Sequence, residues 1–205
     1  MKSKLSRKKR IALIGLSIAI MVAWVWRYIS INQFYDEHTT KTIAYYTIED
    51  EVPFGTDYLA LHESADGYYI QVESFEIVDF VTCCEDYEVS LDSRQVAIPD
   101  KLVLVHITLR NEYSNDQGIN LSNFSLYGID SNPPLDYDLL RQINSILSDG
   151  SWGISLPHNS EYQVTLPYML FREYYKTSTW NNIHDYTFYL QVTAFPTVKC
   201  IQLES

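Results

Sequence analysis

The feature that most constrains this chain is an uncharged, apolar stretch from Ile11 to Trp26. Six basic side chains precede it, and Arg27 follows it directly. A helix that crosses a bilayer needs about 20 mainly apolar residues, and basic residues keep the adjoining end in the cytoplasm. We therefore predict a basic cytoplasmic tail over residues 1–10 and a transmembrane signal-anchor helix over residues 11–31. The expected localisation is the cell membrane, as a single-pass protein with an extracellular C-terminal domain.

A cleaved signal peptide is the alternative interpretation of this stretch, because a basic start followed by an apolar run fits both. Cleavage requires small residues one and three positions before the cut. Ala23 meets only part of that requirement, because Met21 lies two residues before it and bulky Trp24 and Trp26 follow. The pattern favours an uncleaved anchor and leaves cleavage open.

Charge is distributed very unevenly along the chain. The net charge is -11, and all 26 acidic residues follow Arg27. Such a surface repels nucleic acid, so no nucleic-acid partner is expected. The acidic surface is interpreted first as a solvated one that keeps the domain soluble, with a cation or a basic partner as the alternative.

Residues 32–66 lack a sustained hydrophobic period and are interpreted as a stalk. Their last part is expected to dock on the following domain, because leaving large apolar side chains in water is costly. The residues expected to dock are Val52, Phe54, Tyr58 and Leu61.

From residue 67 to residue 205 the pattern predicts a mostly β domain. The 17 tyrosines of the chain favour half-buried strand positions. Apolar and polar residues alternate, and the phase slips near Ser74, which indicates a bulge. Strands are predicted over residues 68–78, 88–91, 101–110, 119–127, 162–166, 187–195 and 198–203. Seven short strands are typical of an immunoglobulin-like antiparallel β-sandwich.

A helical insertion near residues 135–148 interrupts the strands. Its leucines and isoleucines recur with a 3.6-residue period, two prolines precede it, and Gly150 follows it. We expect this helix to cover an open end of the sandwich.

Several segments resemble a broad group of uncharacterised, exported domains of Gram-positive bacteria. The segments that carry the resemblance are Glu51-Val-Pro-Phe-Gly, Asp66-Gly-Tyr-Tyr-Ile-Gln-Val, Val103-Leu-Val-His-Ile-Thr-Leu-Arg-Asn, Phe124-Ser-Leu, residues 160–167 and residues 188–203. The resemblance implies an immunoglobulin-like domain, often tethered by one N-terminal helix. It implies no catalytic residues.

Three cysteines, Cys83, Cys84 and Cys200, are candidates for a disulfide. A bridge between adjacent cysteines strains the intervening peptide, so Cys200 is the better partner for either of the other two. The alternative is three reduced thiols that behave as small hydrophobic groups. Their spacing matches no common zinc site.

No catalytic, metal-binding or cofactor-binding pattern stands out elsewhere. The five histidines lack the spacing of a metalloprotease, and His106 shares a predicted strand face with Thr108 and Arg110. The acidic clusters at residues 49–51 and 85–88 do not have the spacing of an EF-hand. Solvated loops explain them better than a calcium site.

These observations predict a non-catalytic, extracytoplasmic binding or accessory module of the cell envelope. Its expected partners are the membrane, through the N-terminal helix, and another envelope protein or an extracellular ligand. The aromatic residues Tyr174, Tyr175 and Trp180 form the candidate binding surface. The alternatives are a small envelope hydrolase that uses carboxylates and a structural spacer.

Overall fold

A computed structural model describes residues 7–39, 42–60, 65–91, 97–113, 117–128, 130–147 and 151–204. Within the first of these ranges it describes the side chains of residues 11 and 14–30. The chain divides into two compact units, Met1–Thr40 and Lys41–Ser205.

The first unit consists of one helix, α1 (Arg7–Thr39). Among the described residues, no helix is both long enough and apolar enough to cross a membrane. The transmembrane helix predicted over residues 11–31, and the single-pass localisation derived from it, are therefore wrong. The physical reason is length: the uncharged stretch Ile11–Trp26 is closed by Arg27 and is shorter than the run of about 20 mainly apolar residues that a spanning helix needs.

The second unit is mostly β, with few and short helices. Its strands are β1 (Thr42–Thr47), β2 (Val52–Pro53), β3 (Tyr68–Asp79), β4 (Lys101–Asn111), β5 (Ile119–Asn120), β6 (Ser125–Gly128), β7 (Gly153–Ile154), β8 (Ser160–Leu170), β9 (Phe188–Gln191) and β10 (Thr197–Leu203). We name the sheet β1-β10-β9-β6 sheet I and the sheet β2-β3-β4-β8 sheet II, and β5 pairs with β7. The described strand pairs are antiparallel, apart from β1 with β10.

Among the described residues of the second unit, three short helices connect the strands: α2 (Phe80–Asp86), α3 (Tyr137–Ile143) and α4 (Thr177–Asn181). Single 3₁₀ turns lie at Leu121–Asn123, Arg172–Tyr174 and Ile183–Asp185. The start of α3 is fixed by Asp136, whose Oδ1 accepts a hydrogen bond from the Leu139 amide at 3.1 Å. This is an ordinary N-cap.

The main core contains residues of both sheets. In β4 the alternate residues Val103, Val105, Ile107 and Leu109 are fully buried and belong to it. A second, smaller cluster lies on the opposite face of sheet II. There Leu102 and Leu104 pack with Phe80 and Cys83 of α2 and with Leu139 of α3. Both faces of β4 are therefore buried over its first half, because two helices cover the outer one.

β3, β4 and the bulge were predicted correctly from the sequence, whereas β8 is more than twice as long as the strand predicted over residues 162–166. β3 and β4 occupy the predicted ranges to within one residue, and the register shifts between Val72 and Ser74. The strand predicted over residues 88–91 is wrong. The residues before it form α2, in which Phe80, Cys83 and Cys84 share one buried face at helical spacing.

The segment interpreted as a stalk contributes two strands instead. β1 adds to sheet I and β2 adds to sheet II, while Val52 and Phe54 are buried in the main core. Tyr58 forms an isolated bridge with Phe195. Leu61, which was also expected to dock, and residues 1–6 of the predicted basic tail lie outside the described residues.

The predicted helical insertion exists as α3, but it is shorter and lies elsewhere than expected. It lies beside β8, the edge strand of sheet II, rather than over an open end. The polar groups of that edge explain the position, because a bare edge strand leaves backbone groups unpaired.

Candidate functional site

The three cysteines are buried, and none of them forms a disulfide. Cys83 and Cys84 lie in α2, against the outer face of sheet II, whereas Cys200 lies in β10 of sheet I. Burial is the main cause that raises the pKa of Cys83 to about 12, with the neighbouring Cys84 and carboxylates adding to it. The thiolate is the reactive form of cysteine, so the raised pKa and the burial of Cys83 favour a packing role at neutral pH.

The three aromatic residues of the predicted binding surface are brought close together but differ in exposure. The Tyr175 and Trp180 rings lie 5.8 Å apart, and both side chains pack against the main core. Tyr175 also contacts Tyr186, with 6.5 Å between ring centroids. Tyr174, by contrast, is 68% exposed. Tyr174 is therefore the most exposed of the three, and Tyr175 and Trp180 are partly buried.

Tyr174 belongs to an open groove of about 640 Å³, which we call the tyrosine groove. Two segments form its walls: residues 97–100, which lead into β4, and residues 171–177, which follow β8. Ile98 is 64% exposed in the first wall. In the second wall the Phe171 ring supports Tyr174 edge-on, with 5.5 Å between centroids.

Hydrogen bonds across the base of the tyrosine groove fix the two walls to each other. The Arg172 amide donates to Oδ2 of Asp100 at 2.8 Å, and the Asp100 amide donates to the Leu170 carbonyl at 3.0 Å. The groove therefore has a preformed base, while Ile98, Tyr174 and the charged side chains of Arg172 and Glu173 lie around it. Apolar surface combined with a few polar or charged side chains is typical of recognition sites.

A second concavity, the polar pocket, has a volume of about 310 Å³. It lies between the end of α3 and the middle of sheet II, and it is lined mainly by Glu73, His106, Asn144, Tyr162 and Thr165. Asn144 is buried and binds the β8 backbone: its Nδ2 donates to the Thr165 carbonyl, and its Oδ1 accepts from the Thr165 amide, both at 2.9 Å. One side chain thus replaces a neighbouring strand.

Polar side chains of adjacent strands meet in this pocket. His106 Nδ1 lies 3.0 Å from Thr165 Oγ1, and its Nε2 lies 3.5 Å from Glu76 Oε1. Thr108 Oγ1 donates to Glu73 at 2.7 Å. A threonine, a histidine and a carboxylate in series are the groups of a hydrolase relay. However, the Thr165 amide already donates to Asn144, so it is not available to stabilise an oxyanion.

Sequence reasoning identified His106 as a strand residue on the polar face but missed Thr165 and Asn144. The missing information is the register, which pairs His106 with Thr165 across β4 and β8. The groove residues Ile98 and Phe171 were missed as well. They are far apart in the chain, and only the pairing of β4 with β8 places their segments side by side.

Two members of the acidic cluster at residues 49–51 have partners within the second unit. Asp50 Oδ2 accepts hydrogen bonds from the amide and the hydroxyl of Thr47, and Glu51 pairs with Arg110 at 2.7 Å. Within the ranges that the structure describes, no three His, Cys, Asp or Glu side chains converge to hold a metal ion.

Comparison with known proteins gives one family and one distant structural likeness. A family model described as a domain of unknown function (DUF5028) matches residues 43–199. The crystal structure of a candidate lipoprotein, YcdA, from Bacillus subtilis is similar with a TM-score of 0.40 and 12% sequence identity. That similarity covers 73% of this chain and 38% of the other, so the chain spans well under half of its length. No curated protein matches the sequence.

Proposed function

We propose a binding role for this chain, which belongs to the DUF5028 family, a domain of unknown function. In this proposal the second unit is a non-catalytic recognition or accessory module. The tyrosine groove is its recognition surface, and its partner is a protein or a ligand with an apolar group that fits between Ile98 and Tyr174.

We further propose that the second unit is an immunoglobulin-like sandwich. Its two four-stranded sheets contribute to one core, and most of the pairing is antiparallel, which supports this class. Such a fold carries recognition sites on its loops and sheet faces while the core stays rigid. The tyrosine groove lies on connecting segments at the ends of β4 and β8, in keeping with that arrangement.

The observation that carries the binding proposal is the exposure of Tyr174 and Ile98 on a groove whose base is already ordered. Exposed large apolar side chains cost solvation free energy, so a cluster of them beside charged groups marks a surface that is covered in the functional state. Because Asp100 holds the two walls together, little conformational entropy is lost on binding.

Photocrosslinking in living cells tests this proposal. A photoreactive phenylalanine analogue at position 174 of the full chain should give a discrete crosslinked product on irradiation. The matched control is the same analogue at Tyr113, which is also an exposed tyrosine. Products that are identical at both positions, or a lack of product at position 174, would contradict a recognition role for the tyrosine groove.

The hydrolase alternative has weaker support. The polar pocket supplies a hydroxyl next to an imidazole, but the hydroxyl is in the middle of a strand and its own amide is hydrogen-bonded to Asn144. Donors for an oxyanion would have to come from a rearranged strand. The polar pocket is therefore interpreted as the way the fold covers the edge of β8.

A further inference from the structure

The outer face of sheet I carries a surface that neither concavity includes. Alternation in four strands brings one set of side chains to this face, opposite the core residues Tyr46, Ile201, Leu190 and Leu126. The outward residues are Ile43, Tyr45 and Thr47 of β1, Val198, Cys200 and Gln202 of β10, Tyr189 and Gln191 of β9, and Ser125 and Tyr127 of β6. We call this surface the uncharged face.

None of these described outward residues carries a formal charge, although the chain has 26 acidic residues and a net charge of -11. Carboxylates occur just beyond the strand ends instead. Asp50 binds Thr47 after β1, and Glu204 accepts a hydrogen bond from Gln202 after β10. The uncharged face is therefore a neutral area with an acidic margin.

Three tyrosines cross this face in a row. Tyr189 and Tyr127 are direct cross-strand partners, and Tyr45 reaches Tyr189 over β10, with 5.8 Å between centroids and 68° between ring planes. Tyr45 is 64% exposed. From β1 to β6 the row spans three strand spacings, about 14 Å. The face therefore offers a row of three aromatic rings to a ligand rather than one isolated ring.

We propose that the uncharged face binds a neutral polysaccharide. One side of a sugar ring presents C–H groups, which pack against the electron-rich face of an aromatic ring. Its hydroxyls need hydrogen-bond partners around that ring. Gln191 and Gln202 lie beside the tyrosines, and each donates its amide N–H to a neighbour, the Thr193 carbonyl and Glu204, which leaves the amide oxygen as an acceptor.

Charge selects this ligand class over the two nearest competitors. An anionic polysaccharide meets the acidic margin and the overall negative charge of the domain, which repel it. A second copy of the chain carries the same net charge of -11, so face-to-face association brings two like-charged domains together. A neutral chain of sugars avoids both penalties. The 68° angle between Tyr45 and Tyr189 suits a twisted single chain rather than a flat crystalline surface.

Native gel electrophoresis of the full chain tests this inference. The gels contain a soluble mixed-linkage β-glucan, a galactomannan, an amylose-type α-glucan or anionic polygalacturonate. We expect at least one neutral polymer, and not polygalacturonate, to retard the protein. Tyr45→Ala and Tyr189→Ala should each weaken the association constant at least tenfold, whereas Tyr45→Phe, which keeps the ring, should change it less than about threefold.

Controls separate this surface from the tyrosine groove and from a folding defect. Tyr174→Ala and Tyr113→Ala should leave the retardation unchanged, so loss of groove function and loss of glycan binding are distinguishable. Thermal unfolding verifies that Tyr45→Ala and Tyr189→Ala remain folded. Lack of retardation by all three neutral polymers overturns the inference. So does equal retardation by polygalacturonate, or a dimer in sedimentation analysis that Tyr45→Ala dissociates.

Discussion

The two sheets of the second unit differ in how their outer faces and edges are covered. The outer face of sheet II is buried under α2 and α3 at one end and carries charged groups such as Arg110 and Glu73 at the other. The outer face of sheet I carries Ile43 and Tyr45, which are 54% and 64% exposed. The outer face of sheet II is thus largely covered at one end, whereas that of sheet I leaves apolar and aromatic side chains exposed to solvent.

The edges show the same contrast. The backbone of β8 is paired along its outer edge, because Met169 donates to the Pro134 carbonyl and Asp136 donates to the Pro167 carbonyl, both at 2.8 Å. Asn144 satisfies Thr165 in the same way. At the edge of sheet I, by contrast, β1 presents exposed side chains at alternate positions. Sheet II is thus sealed along one edge and over part of its outer face, whereas the edge strand β1 of sheet I is exposed.

The largest effect is expected at the contact that joins the two sheets. Lys199 of β10 pairs with Asp57 at 2.7 Å, with both side chains only 10% exposed, and its Nζ also donates to the carbonyl of Pro53 in sheet II. Lys199→Met leaves the buried Asp57 carboxylate without a counter-ion, although its Oδ1 still accepts from the Thr197 amide at 3.0 Å. The change should cost about 3–5 kcal/mol in the free energy of unfolding. Urea unfolding of the protein and the variant measures this difference in the free energy of unfolding.

The matched control for this change is Lys101→Met, which removes a pair with Asp79 at 2.8 Å in which the carboxylate is 66% exposed. Water screens that pair, so the expected cost is about 0–1 kcal/mol. Equal costs for the two lysine variants would show that the Lys199 contact does not hold the sheets together.

The next effect compares the two outer faces directly. Leu104 is buried under α2, so Leu104→Ala should destabilise the protein by about 2–5 kcal/mol through lost burial and a cavity. Ile43→Ala on the uncharged face should cost about 0.5 kcal/mol or less. Thermal or urea unfolding of the two variants measures the difference. A large cost at Ile43 would mean that the uncharged face is packed in solution, which would weaken the contrast between the sheets.

A smaller effect is expected at the sealed edge. Asn144→Ala removes the partner of both backbone groups of Thr165 and should cost about 1–3 kcal/mol. Asn182→Ala is a suitable control, because its side chain binds the Ser178 carbonyl at an exposed position and its loss should be nearly neutral. Hydrogen exchange at the Thr165 amide should accelerate in Asn144→Ala. Unchanged protection would show that another group seals β8.

The smallest effect concerns the charged end of sheet II. Hydrogen bonds from Arg110, and then from Tyr69, lower the pKa of Glu112. A carboxyl whose pKa falls on folding adds stability above its ordinary range, and this contribution is lost as the pH falls through the lowered pKa. The stability gap between the protein and Arg110→Gln should therefore narrow from neutral pH to about pH 3. Urea midpoints at the two pH values test the sign, and a widening gap would contradict it.

The sequence by itself determined the elements whose pattern is long and local. Strict alternation identified β3 and β4 and the bulge at Ser74, and a 3.6-residue period identified α3. Short or context-dependent elements were missed. β1 and β2 were interpreted as part of a stalk because both strands are too short to show a clear alternation. α2 was missed because its buried residues Phe80, Cys83 and Cys84 cover only about one helical turn.

Only the tertiary structure decided which faces are covered. Sequence periodicity shows that Tyr45, Tyr189 and Tyr127 lie on one side of their strands, but it does not say that the strands are neighbours. Likewise, Leu102 and Leu104 have the same outward direction as His106, and only the position of α2 makes them core residues. Helical and strand periods depend on residues that are close in the sequence, so the sequence shows them. Burial depends on which distant segment packs against a residue and excludes water, and the strand register determines that segment.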